Sequence, residues 1–341
     1  MKKVTFSSDT TAPVCPEIMN ILNEINFDCE SGYAQDKYTK RVEQIMQSYF
    51  TKPVGIHMCT SGSASNVLAI KVMKHNYSSI ICCEETHMNR YEVGGTEYNT
   101  GCKFVACDSK DAKLTVDMIK SKLRTRDSYN WAYPEIVVLS QATEWGTCYT
   151  CNEIKEICDF CHENGLYVYI DGARLANSMV SQNCGFKEML EDTGVDIASF
   201  GANKNGAMFG EMIIVLNPKF EEHFILNQKQ SMQLFSKTRY LGAQFLVMLE
   251  QNVWQKNAKQ SNEMAQYLAK KISEIGYKIA FPVQANSVFV EFEEDMLNYI
   301  QEKYSLGKYE EQKFTRLMTS WCTSKEEVDE LINYIKNKKL K

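Results

Sequence analysis

Apolar residues recur along the first two thirds of the chain with two kinds of spacing, which together predict alternating strands and helices. Helical spacing covers residues 14–26, 40–50, 64–75, 115–123 and 152–164. Short apolar runs, which predict strands, cover residues 55–59, 79–83, 103–107, 135–140, 166–170, 196–200 and 211–216. Most of these runs lack polar alternation, which is typical of parallel strands covered by helices on both faces. The pattern predicts an α/β fold with a mostly parallel central sheet flanked by helices.

The pattern changes near residue 245. A long amphipathic stretch continues to residue 275, and two short apolar segments follow at 278–281 and 287–293. A final helix is predicted over 325–336. These features predict a small C-terminal α+β domain. We expect three parts. Residues 1–28 form an N-terminal segment that packs with the small domain, residues 29–245 form the large domain, and residues 246–341 form the small domain.

Composition and charge narrow the class of protein. Of the 341 residues, 44% are hydrophobic and 24% are charged, which excludes a disordered chain. The net charge of −5 gives no overall positive field, so neither nucleic acid nor an anionic membrane is an expected partner. No apolar run reaches 18 residues, and residues 1–8 contain no apolar signal core. We therefore expect a cytoplasmic protein.

The 13 cysteines are numerous, and an odd number cannot all form disulfides. Reduced thiols are the simplest interpretation. The pairs Cys148/Cys151 and Cys158/Cys161 resemble zinc ligands, but only six residues separate them, whereas structural zinc sites usually have a dozen or more. Helical spacing over this segment favours a buried face of a helix, so no metal is expected.

In open α/β sheets, ligands bind where the strands end, so the turns there are the places to search. Residues 60–63 open a predicted helix and offer either an anion-binding site or an ordinary helix cap. Asp171 ends a buried strand and needs a partner, which a salt bridge with Arg174 could supply. Lys204 occupies a Gly-rich turn after the next predicted strand, although most lysines are simply solvated.

Together these three features provide the parts of a pyridoxal phosphate site. Such a site needs an anchor for phosphate, a carboxylate beside the pyridinium nitrogen and an amine that can form a Schiff base. The turn at 60–63 could supply the phosphate anchor, Asp171 the carboxylate and Lys204 the amine. An apolar turn also favours the neutral form of the lysine amine, which is the nucleophile.

The chain resembles the threonine aldolase and β-eliminating lyase group of fold-type I pyridoxal phosphate enzymes, most closely the low-specificity L-threonine aldolases. D-G-A-R at 171–174 and S-F-G-A-N-K-N-G at 199–206 carry the resemblance, which covers residues 6–319. The resemblance implies a pyridoxal 5′-phosphate cofactor and a fold-type I architecture. It also implies retro-aldol cleavage of L-threonine, L-allo-threonine and related β-hydroxy-α-amino acids to glycine and an aldehyde. The alternative is β-elimination or transamination of another amino acid by the same cofactor.

The resemblance also implies a role for each site residue. Lys204 would bond covalently to the cofactor, Asp171 would hold its pyridine nitrogen, and His87 would stack on its ring. The phosphate ligands would be Ser61, Gly62 and Ser63. The substrate carboxylate would bind to Ser8, Arg174 and Arg316. The segments containing Tyr33, Lys237 and Arg239 would reach the cofactor and substrate of a neighbouring subunit, which implies a homodimer or homotetramer with shared active sites.

The chain departs from the family pattern at two positions. Glu144 stands where many members have a histidine, and Asn203 stands where a Ser or Thr hydroxyl often supports the phosphate. The first departure leaves open which group takes the proton of the substrate hydroxyl. We expect His87 and Glu144 to act there, beside Lys204, as the catalytic residues.

Overall fold

The computed structural model of the protein describes residues 5–123, 129–307 and 313–339. The predicted N-terminal segment thus begins outside the described residues. Eleven strands lie within them. The strands are β1 (Thr5–Phe6), β2 (Gly55–Cys59), β3 (Ser78–Cys83), β4 (Lys103–Cys107), β5 (Tyr133–Ser140), β6 (Tyr167–Asp171), β7 (Ile197–Gly201), β8 (Glu211–Val215), β9 (Ser287–Val290), β10 (Ser305–Leu306) and β11 (Thr315–Met318).

Thirteen α-helices lie between and around the described strands. They are α1 (Pro16–Glu24), α2 (Lys37–Ser48), α3 (Gly62–Met73), α4 (His87–Arg90), α5 (Gly95–Thr100), α6 (Val116–Lys122), α7 (Cys151–Glu163), α8 (Leu175–Gln182), α9 (Phe224–Gln230), α10 (Arg239–Glu250), α11 (Val253–Glu274), α12 (Glu294–Lys303) and α13 (Lys325–Lys339). Every helix predicted before residue 200 is present, with ends shifted by a few residues.

Seven strands form the central sheet in the order β2-β8-β7-β6-β5-β3-β4. Strand β8 is antiparallel to both of its neighbours, and the remaining pairs are parallel. The prediction of a mostly parallel sheet is confirmed. Because β8 runs the other way, its first residue, Glu211, lies at the edge where the parallel strands end.

Both faces of this sheet are covered by apolar side chains. One face packs Val137, Ile170 and Met212 into the larger core, and the other packs Ile136 and Ile213 against α3. Strands β3, β7 and β8 are buried at every residue. This burial on both sides explains why their sequences lack polar alternation.

The C-terminal region has an apolar core of its own. Helix α11 contributes Trp254 to the large core and Leu268 to the second core, so it joins the two. Strand β1 pairs with β10, which brings Phe6 into the second core, whereas Ile18 of α1 belongs to the first. The division at 1–28, 29–245 and 246–341 stays a prediction.

The predicted amphipathic stretch from 245 to 275 is interrupted. Helix α10 ends at Glu250 and α11 begins at Val253, because Asn252 between them has a left-handed backbone with φ 53°. Residues 278–281 form an isolated bridge, Ile279 to Val290, rather than a strand. Periodicity could not reveal the break, since the apolar positions continue across it.

The cysteine pairs lie around α7. Cys158 and Cys161 are buried in the large core on this helix, whose first turn is closed by a capping box of Thr150 and Glu153. All 13 cysteines are free thiols. Among the described residues, no group of three His, Cys, Asp or Glu side chains is arranged to hold a metal ion. None of the described helices is both long enough and apolar enough to cross a membrane.

Candidate active site

A cavity of about 400 Å³ opens at the carboxyl edge of the central sheet, where α/β folds bind ligands. Its lining includes most of the predicted site residues: Ser8, Gly62, Ser63, His87, Glu144, Asp171, Arg174, Lys204 and Arg316. Residues from opposite ends of the chain, Ser8 and Arg316, thus line one cavity. The lining of the cavity is completed by Thr10, Asn66, Tyr91, Glu92, Ser140, Ala142 and Ala173.

The start of α3 forms one wall of the cavity. Ser61 caps the helix by accepting the amide N–H of Ala64 at 3.3 Å, and the first intrahelical bond joins Ser65 N–H to Ser61 O at 3.0 Å. The N–H groups of Gly62 and Ser63 precede that bond and are available to an anion. A Cβ atom added at Gly62 would meet nothing within 4 Å, so a ligand can approach the backbone there.

Lys204 lies in a single 3₁₀ turn, Asn203–Asn205, directly after β7. The turn is anchored because Asn205 donates to Trp254 O at 2.9 Å and Asn257 donates to Asn205 O at 2.8 Å. Gly206 closes it with φ 103°, a conformation that side chains disfavour. Burial and the positive charge of Arg174 lower the pKa of Lys204, which favours the neutral amine.

Asp171, the last residue of β6, is 6% exposed and is held on both carboxylate oxygens. Oδ1 accepts the amide N–H of Ala173 at 3.1 Å, and Oδ2 accepts Nδ2 of Asn66 at 3.4 Å. The sequence suggested Arg174 as its partner. The structure instead pairs Arg174 with Asp9.

The Arg174 guanidinium binds Asp9 through two hydrogen bonds, Nε to Oδ2 at 2.7 Å and Nη2 to Oδ1 at 3.1 Å. Asn286 donates a third bond to Asp9 at 3.0 Å. Burial by itself raises the pKa of Asp9, but the charges of Arg174 and Lys204 and these hydrogen bonds outweigh it and bring the pKa to about 2. The ion pair fixes the segment that carries Ser8, and Arg316 adds a bond to Ser7 O at 3.0 Å.

His87 and Glu144, which both line the cavity, are hydrogen-bonded to each other. The backbone N–H of His87 donates to Oε1 of Glu144 at 2.8 Å, and the hydroxyl of Ser140 donates to the same oxygen at 3.0 Å. Burial, followed by the charge of Asp171, raises the pKa of Glu144 to about 7. The other oxygen, Oε2, is buried without a hydrogen-bond partner among the described residues. A buried carboxyl group with a pKa raised to about 7 makes Glu144 a candidate for proton exchange near neutral pH.

Comparisons with known proteins agree with this geometry. The family model described as β-eliminating lyase matches residues 5–295. The chain belongs to the β-eliminating lyase family. It is 33% identical to the low specificity L-threonine aldolase of Pseudomonas sp. (strain NCIMB 10558), over 96% of this chain and 95% of that protein. The corresponding Pseudomonas aeruginosa protein is 32% identical over 97% of this chain and 96% of its own length.

A solved structure agrees as well. The threonine aldolase of Leishmania major superposes with a TM-score of 0.92, at 28% sequence identity, and covers 98% of each chain. The predicted family and fold class are therefore confirmed. The expectation of pyridoxal 5′-phosphate as the cofactor of this β-eliminating lyase family member is supported with them.

The residues present fit that cofactor. The open space at Gly62 and the N–H groups at the start of α3 suit a phosphate, Asp171 offers a carboxylate to a pyridinium, and Lys204 offers an amine. The Oε2 atoms of Glu92 and Glu144, both lining residues, are buried without a hydrogen-bond partner in the described part of the chain, which suits a site for a polar ligand.

Three predicted site residues lie away from the cavity of their own chain. The Tyr33 side chain is 48% exposed, with Nζ of Lys229 4.2 Å from the centre of its ring. Its amide N–H donates to Ser236 O at 3.1 Å, which ties it to the segment containing Lys237. Arg239 donates to the carbonyl of Asp28. A single chain therefore does not bring Tyr33, Lys237 and Arg239 to its own site.

Several residues around the site had not been singled out from the sequence. Asp9, Asn66 and Glu92 bond to partners that are distant in the sequence, and no local pattern distinguishes them. Ser140 bonds to Glu144, only four residues away, but a serine at the end of a strand carries no signal of its own. Glu211 could have been recognised from the sequence, because it is the one charged residue in the apolar run 211–216. It is buried beside the same edge of the sheet, and burial raises its pKa to about 8.

Proposed function

We propose that this protein cleaves β-hydroxy-α-amino acids such as L-threonine and L-allo-threonine to glycine and an aldehyde, with pyridoxal 5′-phosphate as cofactor. One observation carries the proposal: Lys204, Asp171 and the start of α3 line a single cavity together with Arg316. Two anion-binding regions and one amine suit a phosphate, a carboxylate and a carbonyl carbon.

The roles of the cofactor residues follow from their surroundings. Lys204, with its lowered pKa, is the amine that attaches the cofactor. Asp171 would be the carboxylate that keeps the pyridine nitrogen of the bound cofactor protonated, and the ring of His87, which lines the same cavity, would stack on the cofactor. Ser61, Gly62 and Ser63 bind the phosphate with their N–H and hydroxyl groups.

Arg316, Arg174 and Ser8 bind the substrate carboxylate. The Arg174–Asp9 ion pair holds the plane of the guanidinium, and the bond from Arg316 to Ser7 O draws the small-domain strand towards it. A fixed carboxylate also fixes the direction of the Cα–Cβ bond. Such orientation accounts for a large part of the rate gain available to an enzyme of this kind.

The bond to Cβ breaks only if the hydroxyl on Cβ loses its proton. When bound, pyridoxal 5′-phosphate supplies the sink for the electron pair that this cleavage leaves on Cα. We assign the removal of this proton to Glu144, because its pKa of about 7 makes the carboxylate form abundant at neutral pH. His87, whose N–H orients Glu144, borders the same position.

The proposal extends to assembly and location. Tyr33, Lys237 and Arg239 lie outside the cavity of their own chain, which supports a role for them in the site of a partner subunit, in a homodimer or homotetramer. The 13 free thiols support a reducing, cytoplasmic location.

The deciding experiment is incubation of the purified holoenzyme with L-threonine. We expect acetaldehyde and glycine in equal amounts, and we expect Lys204→Ala to lose both the visible absorbance of the bound cofactor and turnover. Elimination would instead release a 2-oxo acid and ammonia, and transamination would leave a 2-oxo acid without ammonia. Either of those product sets, or a Lys204→Ala variant that keeps absorbance and turnover, would overturn the proposal.

A further inference from the structure

Two buried carboxylates near the cavity share one amide group. Glu92 has a side chain that is 2% exposed, and Asp171 is 6% exposed. Nδ2 of Asn66 lies between them, 2.8 Å from Oε1 of Glu92 and 3.4 Å from Oδ2 of Asp171. Asn66 is itself 1% exposed, on the helix whose first turn faces the cavity.

The orientation of this amide is determined by its third partner. The hydroxyl of Tyr169, a fully buried residue of β6, donates to Oδ1 of Asn66 at 2.8 Å. The NH₂ group must then face the carboxylates, and it has two hydrogens to offer, one for each. Rotating the amide by half a turn would set its oxygen against both acids.

Glu92 extends the chain of hydrogen bonds to the other side of the cavity. Its Oε1 also lies 2.8 Å from Nδ1 of His87, the ring proposed to cover the cofactor. A single connected network therefore joins the residue proposed to hold the pyridine nitrogen to the residue proposed to stack on the ring: Asp171, Asn66, Glu92 and His87.

We propose that Asn66 and Glu92 are positioning residues that hold Asp171 and His87 in register on the two sides of the cofactor. The proposal rests on the proposed function, because it assumes that the cofactor lies between those two groups. Without the amide, each of these buried carboxylates loses a donor, so Glu92 or Asp171 must shift to find another. Either shift disturbs the surface that receives the cofactor ring.

Cofactor binding tests this directly. Wild-type protein freed of cofactor is titrated with pyridoxal 5′-phosphate, and the dissociation constant is read from absorbance. We expect Asn66→Ala to weaken binding about 10- to 100-fold, because buried acceptors lose their donor. We also expect the visible circular dichroism of the bound cofactor to change, since it depends on the tilt of the ring.

Three further variants keep the test decisive. Tyr169→Phe retains the packing but frees Oδ1 of Asn66, so it should weaken binding in the same direction by a smaller factor. Glu92→Gln should also weaken binding, and the effects of Glu92→Gln and Asn66→Ala should not multiply in the double variant, because both interrupt one network. Asn177→Ala is the matched control: Asn177 is also a buried asparagine, bonded to Ser261 and Asn262 at 2.9 Å, away from the cavity.

The outcomes separate the two proposals. If wild-type protein binds no pyridoxal 5′-phosphate, the proposed function is wrong. If wild-type protein binds it and cleaves L-threonine while Asn66→Ala and Tyr169→Phe bind it as tightly and with the same circular dichroism, the inference alone is wrong. Effects of Asn66→Ala and Glu92→Gln that multiply independently, or an equal loss in folded Asn177→Ala, would also overturn it.

Discussion

At Glu144, the type of residue itself bears on the chemistry of the site. A histidine base carries a positive charge after it takes a proton, whereas a carboxylate becomes neutral. Here the carboxyl group is buried and receives two donors on a single oxygen, from His87 and Ser140. Its raised pKa of about 7 lets it serve as a base in spite of the low basicity of an ordinary glutamate.

We predict that Glu144→Gln lowers kcat by about 10²- to 10⁴-fold, the usual contribution of a general base. In the wild type, kcat should rise as the pH passes through about 7, because the ionised form is the active one. That rise should be absent from the residual activity of Glu144→Gln. The measurement is a kcat profile with L-threonine between pH 5 and 9.

The matched control for this prediction is Ser140→Ala, which removes one donor to Oε1 but leaves the carboxylate in place. Because hydrogen bonds to the charged form favour it, losing this donor should shift the rise in kcat to higher pH without abolishing it. A Glu144→Gln enzyme with wild-type kcat and an unchanged profile would exclude Glu144 as the base.

At the scale of elements, helices α10 and α2 pack with their backbones close together at Gly242. A Cβ atom on Gly242 of α10 would lie 2.7 Å from the backbone nitrogen of Thr39 and 2.8 Å from its hydroxyl. The same Thr39 nitrogen donates to Asp36, the buried cap of α2, at 2.8 Å. Glycine is therefore needed for the contact between helices and for the cap beneath it.

We predict that Gly242→Ala lowers the free energy of unfolding by about 1–3 kcal/mol, the range for overpacking a tight contact. Thermal unfolding of the cofactor-free protein measures it as a lower Tm. Gly95→Ala is the control, because its Cβ would meet only Glu92 Cβ at 4.0 Å, an ordinary contact at the start of α5. Equal Tm values for both variants would show that the helices adjust without cost.

At the scale of the whole molecule, the buried charges at the sheet edge make stability depend on pH. Glu211 has a pKa of about 8 in the folded protein, raised by burial from an ordinary value of 4.5. The folded state therefore keeps a proton that the unfolded state releases between these values. Its contribution to stability falls as the pH rises from about 4.5 to about 8.

Glu211→Gln should remove this contribution. We predict that the variant, free of cofactor, has a Tm close to that of the wild type near pH 5 and a higher Tm near pH 8.5. Differential scanning calorimetry at the two pH values is the measurement. A difference in Tm that is the same at both pH values would contradict the assignment, because a packing effect does not titrate.

Assembly also belongs to this scale. If Arg239 completes the site of a partner subunit, an oligomer mixed from Lys204→Ala and Arg239→Ala subunits contains some sites with neither defect. We predict that mixing the two inactive proteins under conditions that exchange subunits restores a fraction of wild-type activity, together with a dimer or larger species in sedimentation velocity. Mixtures that stay inactive although the subunits have exchanged would argue against shared sites.

The sequence alone determined the architecture and the central chemistry. Apolar runs without polar alternation predicted strands buried on both faces, and the structure has them in one sheet. The turn at 60–63, Asp171 and Lys204 could be found because each lies at the end of a strand or just after it, and strands that end at one edge of a sheet bring these positions together. Such patterns are local, because the burial of a strand or helix can be predicted from the spacing of its own apolar residues.

Only the tertiary structure decided which charged groups meet. Arg174 bonds to Asp9, 165 residues away, rather than to Asp171. Glu92 reaches His87 and Asn66, and Asn252 divides a stretch whose apolar spacing is continuous. Buried charges and amides choose partners according to which segments the fold brings within about 3 Å, and that proximity depends on the whole chain rather than on spacing within one segment.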